Sequence, residues 1–212
     1  VSPAFDRLLL ARVEDAGLNA SAPPQQRWLD GWLVRFSPGK AKRARCVNAV
    51  APGCLPLDEK LTRAAAVFAE AQLPMVVRIT RFTQPADLDA ELAAQGFETL
   101  DDTRVMVCPK LAEASPPALP AGTHWVSLPA SDYAEAVGTL RGSPPVQRQA
   151  HAERLRHSPV PYHGFAIRRD DDHGVLACGQ LAIEADLVGL YDVFTAESAR
   201  GRGLATGLCR RL

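Results

Sequence analysis

A β-strand pattern, a glycine-rich turn and a helix pattern follow one another at the end of the sequence. Residues 188–195 are rich in β-branched and aromatic side chains, residues 199–203 read Ala-Arg-Gly-Arg-Gly, and Leu204, Leu208 and Leu212 have helical spacing. Such a turn exposes backbone amides at the positive end of a helix dipole, and glycine lets an anion approach the backbone. The sequence therefore predicts an anion site at this turn.

The spacing of the turn excludes two common phosphate sites. A nucleoside triphosphate loop needs Gly-Lys-Ser/Thr, but Gly203 is followed by Leu204 and Ala205. A dinucleotide loop needs Gly-x-Gly-x-x-Gly, but Thr206 stands at the third glycine position and Gly207 comes one residue late. A different phosphate-containing ligand is expected.

Arg200, Gly203 and Ala205 form the pattern Arg-x-x-Gly-x-Ala, which resembles the acetyl-CoA loop of the GCN5-related N-acetyltransferase family, [Arg/Gln]-x-x-Gly-x-[Gly/Ala]. The preceding strands agree with that resemblance, although Glu197 stands where the family often has proline. The resemblance implies that the loop amides hold the CoA pyrophosphate and that the pantetheine arm pairs with the preceding strand like an extra strand. The implied cofactor-binding residues are Val193, Phe194, Thr195, Arg200, Gly201, Arg202, Gly203, Leu204 and Ala205.

The first half of the chain resembles the same family only in its pattern of elements. A hairpin over residues 31–50, with a turn at Ser37-Pro38-Gly39, and a helix over 57–74 correspond to the central strands and the cofactor helix. Residues 75–108 then predict a strand, a helix ending in Gly-Phe and a final strand, 103–108. Residues 50–57 lack the glycine pattern, and the carboxylates of Asp58 and Glu59 would repel a pyrophosphate. We expect a degenerate first module that does not bind CoA.

The expected fold class is α/β (α+β), with two modules that each contain a mixed, mainly antiparallel sheet flanked by helices. The proline-rich stretch that ends at Gly122 indicates a linker. The predicted organisation is a degenerate domain over 1–110, a linker over 111–122 and an acetyl-CoA-binding domain over 123–212, incomplete at Leu212. Further predictions are helices over 5–18, 130–140 and 144–157 and a three-stranded meander within 163–195.

Acetyl transfer to an amine needs a neutral amine, a polarised carbonyl and a proton for the leaving thiolate. Asp192 and Glu184, with Asp186 beside them, are the candidates for accepting the amine proton. Asp192 has apolar neighbours, so it is either an interior carboxylate with a raised pKa or a solvated or salt-bridged one. The resemblance implies a tyrosine as general acid on an element after Leu212.

The composition limits the classes of partner. The chain has 24 basic and 24 acidic residues, so no global field attracts nucleic acid or an anionic membrane. The five cysteines have no Cys-x-x-Cys spacing, and His151, His157 and His163 lie six residues apart, so no metal site is expected; these histidines are candidates to border the acceptor. No apolar run is long enough for a membrane span, and no signal peptide is seen, which favours a cytoplasmic protein.

These observations favour an N-acetyltransferase that moves an acetyl group from acetyl-CoA to an amine, on a small molecule or a protein. A non-catalytic CoA-binding or interaction module remains the alternative. The basic run Lys40–Arg45 could contact a nucleic acid, but a solvated basic hairpin fits the zero net charge better, and no nucleic acid or membrane partner is expected. The acceptor is not defined by the sequence, and a homo-oligomer is left open.

Overall fold

Two separate four-stranded sheets organise the chain in the computed structural model, which describes residues 6–111 and 115–212. This is the mixed α and β architecture that the sequence predicts. The first sheet contains β1 (Gln26–Leu29), β2 (Trp32–Arg35), β3 (Val47–Ala49) and β4 (Val77–Arg78), with helices α1 (Arg7–Ala20), α2 (Leu57–Glu70) and α3 (Leu88–Ala94). The second sheet contains β5 (Thr123–Leu128), β6 (Tyr162–Arg169), β7 (Val175–Glu184) and β8 (Leu187–Thr195), with helices α4 (Ala130–Leu140), α5 (Pro145–Arg156) and α6 (Leu204–Cys209).

The first sheet is a meander extended by one parallel strand. Strands β1, β2 and β3 pair antiparallel, and β4 pairs parallel to β3 after the chain crosses over through α2. The apolar stripe of α2 includes Leu61 and Phe68, which are buried in one cluster with Trp32 and Val47. The crossover therefore places the segment between β3 and α2 at the end of a central strand.

The second sheet is antiparallel throughout and has a different helix layer on each face. Neighbouring residues of a strand point to opposite faces. Ala166 packs with α4 and α5, whereas the next residue, Ile167, packs with α6. In β8, Phe194 packs in the cluster of α4 and α5, and Val193 packs in the cluster of α6. Strand β8 lies at the edge of this sheet, so its end and the loop that follows lie between the two helix layers.

The helices and the three-stranded meander of the second half are confirmed, with β6, β7 and β8 as its strands. The predicted strand over 103–108 is wrong: these residues pair with no strand of the described chain, and Met106 is almost fully exposed. A strand is stabilised by pairing with a neighbour, and this segment has none. The strand predicted over 75–82 shortens to β4 because Thr80 and Thr83 form a turn, in which the Thr80 amide donates to Thr83 Oγ1.

The tight turn of the first sheet is not at Ser37-Pro38-Gly39, as predicted, but at Asp30-Gly31. Asp30 and Gly31 have φ of 44° and 82°, and Leu29 pairs directly with Trp32. Positive φ at both central residues is the geometry that suits a two-residue hairpin turn. Ser37-Pro38-Gly39 instead lies in the longer connection between β2 and β3.

Candidate functional site

The glycine loop after β8 has the backbone conformation that the sequence predicts. Gly201 and Gly203 have φ of +76° and +74°, a region that side chains disfavour. A Cβ built on either glycine would meet no atom within 4 Å, so the space in front of the loop is open. Gly203 directly precedes α6, and Leu204 and Leu208 anchor that helix in the buried cluster with Ile167. The packing of α6 thus fixes the position of the loop, while the side of the loop at Gly201 and Gly203 remains accessible.

The loop presents a run of main-chain amides with unused hydrogen-bonding capacity. Within the described residues, the amides of residues 201–206 donate to no carbonyl or side-chain acceptor, whereas the Arg200 amide donates to Glu197 O and the Gly207 amide to Gly203 O. Consecutive unbonded amides form a concave donor surface for an anion. Ala205 and Thr206 are exposed, so no side chain closes this surface.

Two arginines approach the loop and the strand that leads to it. The Arg200 guanidinium lies 5.8 Å from the centroid of the Phe194 ring, and the Arg141 guanidinium lies 5.3 Å from the same centroid. Arg200 is also 3.8 Å from Glu197, but both side chains are largely exposed, so this pair is weak. Arg202 is exposed at the tip of the loop.

Strand β8 contains a β-bulge where the predicted pantetheine-binding residues begin. Gln180 pairs with Tyr191 and Cys178 pairs with Phe194, so Asp192 and Val193 together oppose Gly179. Asp192 has φ of 51°, and this backbone conformation changes the direction of the strand at the bulge. From Val193 onward, the outer edge of β8 at 193–195 pairs with no strand of the described chain. An extended ligand could therefore add main-chain hydrogen bonds there.

The side chain of Asp192 lies in a cluster of basic groups on the α4 and α5 face. Arg141 Nη1 donates to Oδ1 at 2.8 Å, Gln180 Nε2 donates to Oδ2 at 3.0 Å, and Arg154 Nη2 lies 3.9 Å from Oδ2. The Tyr133 hydroxyl donates to the Asp192 carbonyl oxygen at 3.2 Å. Both the carboxylate and the backbone of the bulge are thus held in place.

The electrostatics of Asp192 differ from the interior carboxylate considered above. Burial alone would raise its pKa, but the nearby positive charges, His151 when protonated and then Arg141, outweigh burial and hold the pKa below its ordinary value. Of the two alternatives that the sequence left open, the salt-bridged carboxylate describes Asp192 and the raised pKa does not.

His151 is a buried neutral imidazole beside this carboxylate. Burial, followed by the charge of Arg154, lowers the pKa of His151 to about 4. Its Nε2 lies 3.4 Å from Asp192 Oδ2 and makes no hydrogen bond with the described residues. Near pH 7 the positive charges around Asp192 therefore come from arginines.

The structure does not bring Glu184 and Asp186 to the loop. Glu184 accepts two 3.0 Å hydrogen bonds from Asn19, and Asp186 pairs with Arg12, so both carboxylates join β7 and β8 to α1. Glu184 is four residues beyond Gln180 along β7, or about 13 Å at ordinary strand rise. Asp192 is the one of the three acidic candidates that lies next to the predicted pantetheine strand.

A cavity of about 160 Å³ opens beside Asp192, and we call it the composite cavity because both halves of the chain line it. One wall comes from the connection between β2 and β3, and the other comes mainly from α4 and α5. The residues of the first wall are Ser37, Gly39, Lys40, Ala41 and Ala44. The charged or titratable lining residues are Lys40, Arg141, Arg148, His151, Arg154 and Asp192. Of the three histidines suggested as borders of the acceptor site, His151 is the one that lines this cavity. The sequence analysis did not identify this wall, although the basic, acid-poor stretch 141–156 could have indicated it.

The basic run near Lys40 is not the solvated hairpin that the sequence favoured. Lys42 pairs with Asp101, Ala44 is fully buried, and Arg43 lies half-buried against Gly17 of α1. Burial lowers the pKa of Arg43. Most of this run packs against the protein, and Lys40 is left at the mouth of the composite cavity.

In the first sheet, the loop between β3 and α2 has the same position before a helix as the glycine loop of the second sheet. This loop binds a carboxylate of the chain itself. The amide of Cys54 donates to the Asp30 carboxylate at 2.9 Å and the amide of Leu55 at 2.8 Å. These backbone hydrogen bonds, first that of Leu55, lower the pKa of Asp30. The buried Lys60 ammonium lies 3.3 Å from the same carboxylate. The amides of Cys54 and Leu55 are therefore already bonded.

The comparisons with known proteins point to one class. No model of a known protein family matches the chain. The chain is similar to a curated bacterial protein whose name places it among N-acetyltransferases. That protein is the "Uncharacterized N-acetyltransferase YobR" of Bacillus subtilis (strain 168), at 24% identity over 189 residues that cover 88% of this chain and 74% of the relative. The similarity thus includes residues of both sheets.

Two further observations concern the described residues alone. None of their helices combines the length and the apolar content needed to cross a bilayer. Residues 6–111 and 115–212 hold no cluster of three or more His, Cys, Asp or Glu side chains suited to a metal ion.

Proposed function

We propose that this chain is an acetyl-CoA-dependent N-acetyltransferase of the GCN5-related type, with one cofactor site at the glycine loop. The observation that carries the proposal is the run of unbonded amides at residues 201–206 in front of open space. The similarity to a protein named as an N-acetyltransferase supports the same class. The amides of residues 201–205 would bind the pyrophosphate, and Arg200 and Arg202 would add positive charge.

The edge of β8 supports a position for the pantetheine arm. Residues 193–195 begin at the second residue of the bulge and carry an unpaired strand edge within the described chain. A pantetheine arm has amide groups that can pair with such an edge. The thioester would then lie near Val193, adjacent to the Asp192 cluster.

The reaction forms a bond between the acceptor nitrogen and the acetyl carbon and breaks the bond between that carbon and sulfur. The departing thiolate takes a proton, and the nitrogen loses one. Asp192 is a weak proton acceptor because its pKa is lowered and its carboxylate is engaged by Arg141 and Gln180. We therefore assign it as a positioning residue that fixes the bulge, and the tyrosine expected after Leu212 remains a prediction.

The first sheet is proposed not to bind CoA. Its loop amides at Cys54 and Leu55 are bonded to Asp30, and a Cβ at Gly53 would lie 2.2 Å from Asp30 atoms, so the space in front of this loop is filled. One CoA per chain is the expected stoichiometry.

Isothermal titration of the chain with CoA, followed by an acetyl-transfer assay with amines, tests the proposal. We expect saturable binding with a stoichiometry near one and thiol release that depends on an amine. Absence of both heat and thermal stabilisation would contradict the cofactor assignment.

A non-catalytic CoA-binding module is the second candidate, and the lowered pKa of Asp192 favours it. The same assay separates the two. CoA binding without thiol release across a broad amine panel would support the second candidate, whereas release that requires an amine would exclude it.

A further inference from the structure

The composite cavity carries an excess of positive charge. Four basic side chains line it, against one carboxylate, that of Asp192. Asp192 is already matched by its hydrogen bond with Arg141, and His151 adds no charge near pH 7. Glu135 pairs with Arg148 from outside the cavity and is well exposed. Arg154 lies 3.9 Å from the same Asp192 carboxylate, so one carboxylate faces two arginines, and Lys40 has no ion-pair partner among the described residues. The lining therefore keeps an excess of positive charge, which attracts a negatively charged group.

Two polar atoms of the cavity wall have hydrogen-bonding capacity left. Nε of Arg148 and Nε2 of His151 are buried and bond to no described residue. Buried polar atoms in proteins are nearly always bonded. Both residues line the cavity, so a ligand there could satisfy an arginine donor and an imidazole at once.

A glycine inside α4 determines where Arg148 lies. A Cβ at Gly138 would come within 2.3 Å of Cγ of Arg148, so the arginine stem crosses the helix at this position. Glycine in a helix interior normally destabilises the helix. Here its lack of a side chain allows α5 to present the Arg148 guanidinium to the cavity.

Arg141 connects the cavity to the proposed donor site. Its guanidinium lines the cavity and also lies over the Phe194 ring, on which Arg200 lies as well. Phe194 belongs to the strand segment proposed to pair with the pantetheine arm. The cavity therefore begins close to where the acetyl group would end.

Resting on the proposed function, we propose that the composite cavity is the acceptor site and that the acceptor carries an anionic group, a carboxylate or a phosphate, near its amine. Arg148, Arg154 and Lys40 bind the anionic group. Because Lys40 belongs to the connection between β2 and β3, the first sheet takes part in acceptor recognition although its own loop binds no cofactor.

Matched amines test the proposal on the full chain. L-alanine is compared with ethylamine and L-phenylalanine with phenethylamine, which differ by a carboxylate, and O-phosphoethanolamine is compared with ethanolamine, which differs by a phosphate. We expect kcat/KM to favour the anionic member of at least one pair by about 10-fold or more, as for a charge-assisted hydrogen bond. The pair that shows the larger preference identifies the group as carboxylate or phosphate.

Lys40→Ala and Lys42→Ala form the matched variants, because Lys42 lies in the same connection but pairs with Asp101 and does not line the cavity. Lys40→Ala should reduce the anionic preference several-fold and leave CoA affinity unchanged, and Lys42→Ala should change neither. Equal use of both members of every pair, or transfer to none of the anionic amines by a chain that binds CoA, would overturn the proposal. So would a loss of CoA affinity in Lys40→Ala, which would assign the cations to the cofactor.

Calorimetric titration of the same amines, alone and with CoA present, separates this proposal from the proposed function. Failure of CoA to bind contradicts the proposed function only. Anionic amines that bind the wild type, and bind Lys40→Ala more weakly, support the cavity assignment in that case too. No preference for anionic amines in either titration contradicts it.

Discussion

Arg141 Nη1 donates a 2.8 Å hydrogen bond to Oδ1 of Asp192 and thereby joins the end of α4 to the bulge of β8. The two side chains are 23% and 19% exposed, so the pair is neither fully buried nor freely solvated. Removing one partner leaves the other charge poorly compensated, and this makes the pair a structural support of the proposed donor site.

Arg141→Met and Asp192→Asn should each lower the free energy of unfolding by about 2 kcal/mol, because each leaves a partly buried charge without its partner. The double variant should be more stable than the sum of the two losses predicts, by about 1 kcal/mol or more. Urea denaturation followed by fluorescence measures all three. Strict additivity would show that the hydrogen bond is not maintained in solution.

Asp192→Asn should lower kcat while leaving the pH dependence of kcat/KM in place, because a carboxylate whose pKa is lowered by neighbouring positive charges does not set an acidic limb near neutral pH. Rate profiles between pH 5 and pH 9 provide the measurement. Disappearance of an acidic limb in the variant would identify Asp192 as the proton acceptor instead.

Gly203→Glu should weaken CoA binding by about 100-fold or more, because its side chain and its charge would occupy the proposed pyrophosphate position. Gly122→Glu is the matched control, since Gly122 has φ of +73° and the same open space for a Cβ. The control should lose comparable stability and keep its affinity for CoA. Retained affinity in Gly203→Glu would contradict the loop assignment.

The free energy of unfolding should fall by about 2 kcal/mol between pH 7 and pH 5 through His151 alone. The pKa of His151 is about 6.5 in the unfolded chain and about 4 in the folded chain. Between these two pH values the unfolded chain binds more protons than the folded chain, so lowering the pH favours unfolding. His151→Gln should flatten that part of the stability profile. Equal slopes for the two proteins would show that the imidazole is not buried as described.

Lys60→Met should destabilise the first sheet by about 1–3 kcal/mol, because the ammonium donates to Pro52 O at 2.6 Å and compensates Asp30. Both variants lose the ammonium that lies 4.7 Å from the centroid of the Trp32 ring. Lys60→Ala should cost more, since it also removes the buried aliphatic stem of the side chain. Thermal unfolding compares the variants, and CoA affinity should not change in either. Reduced CoA affinity would show that the two halves of the chain are coupled.

Local patterns in the sequence were sufficient to predict the strands of the β6–β8 meander and the glycine loop that follows them. Gly201 and Gly203 have the positive φ that their spacing suggests, and the strands and helices around them follow from short-range periodicity. The site around Asp192 could not be obtained in this way. Its partners Arg141 and Arg154 are 51 and 38 residues away and come from other elements.

The same limit applies to the first sheet. The sequence predicts a loop without the glycine pattern, but the anion that fills it comes from Asp30, more than 20 residues earlier. Asp30 belongs to a turn that the sequence pattern did not predict. The prediction of a strand over 103–108 was wrong for a related reason. The alternating pattern of these residues does not show whether a neighbouring strand exists to pair with them.

The Asp30 carboxylate gives the two halves of the chain different responses to metabolite supply. A loop that is completed by an external ligand gains stability in proportion to the logarithm of the ligand concentration. The first sheet supplies the anion of its own loop, Asp30, so this loop is complete without a cofactor. On the proposed function, cofactor depletion would loosen the second half of the protein while the first half keeps its shape.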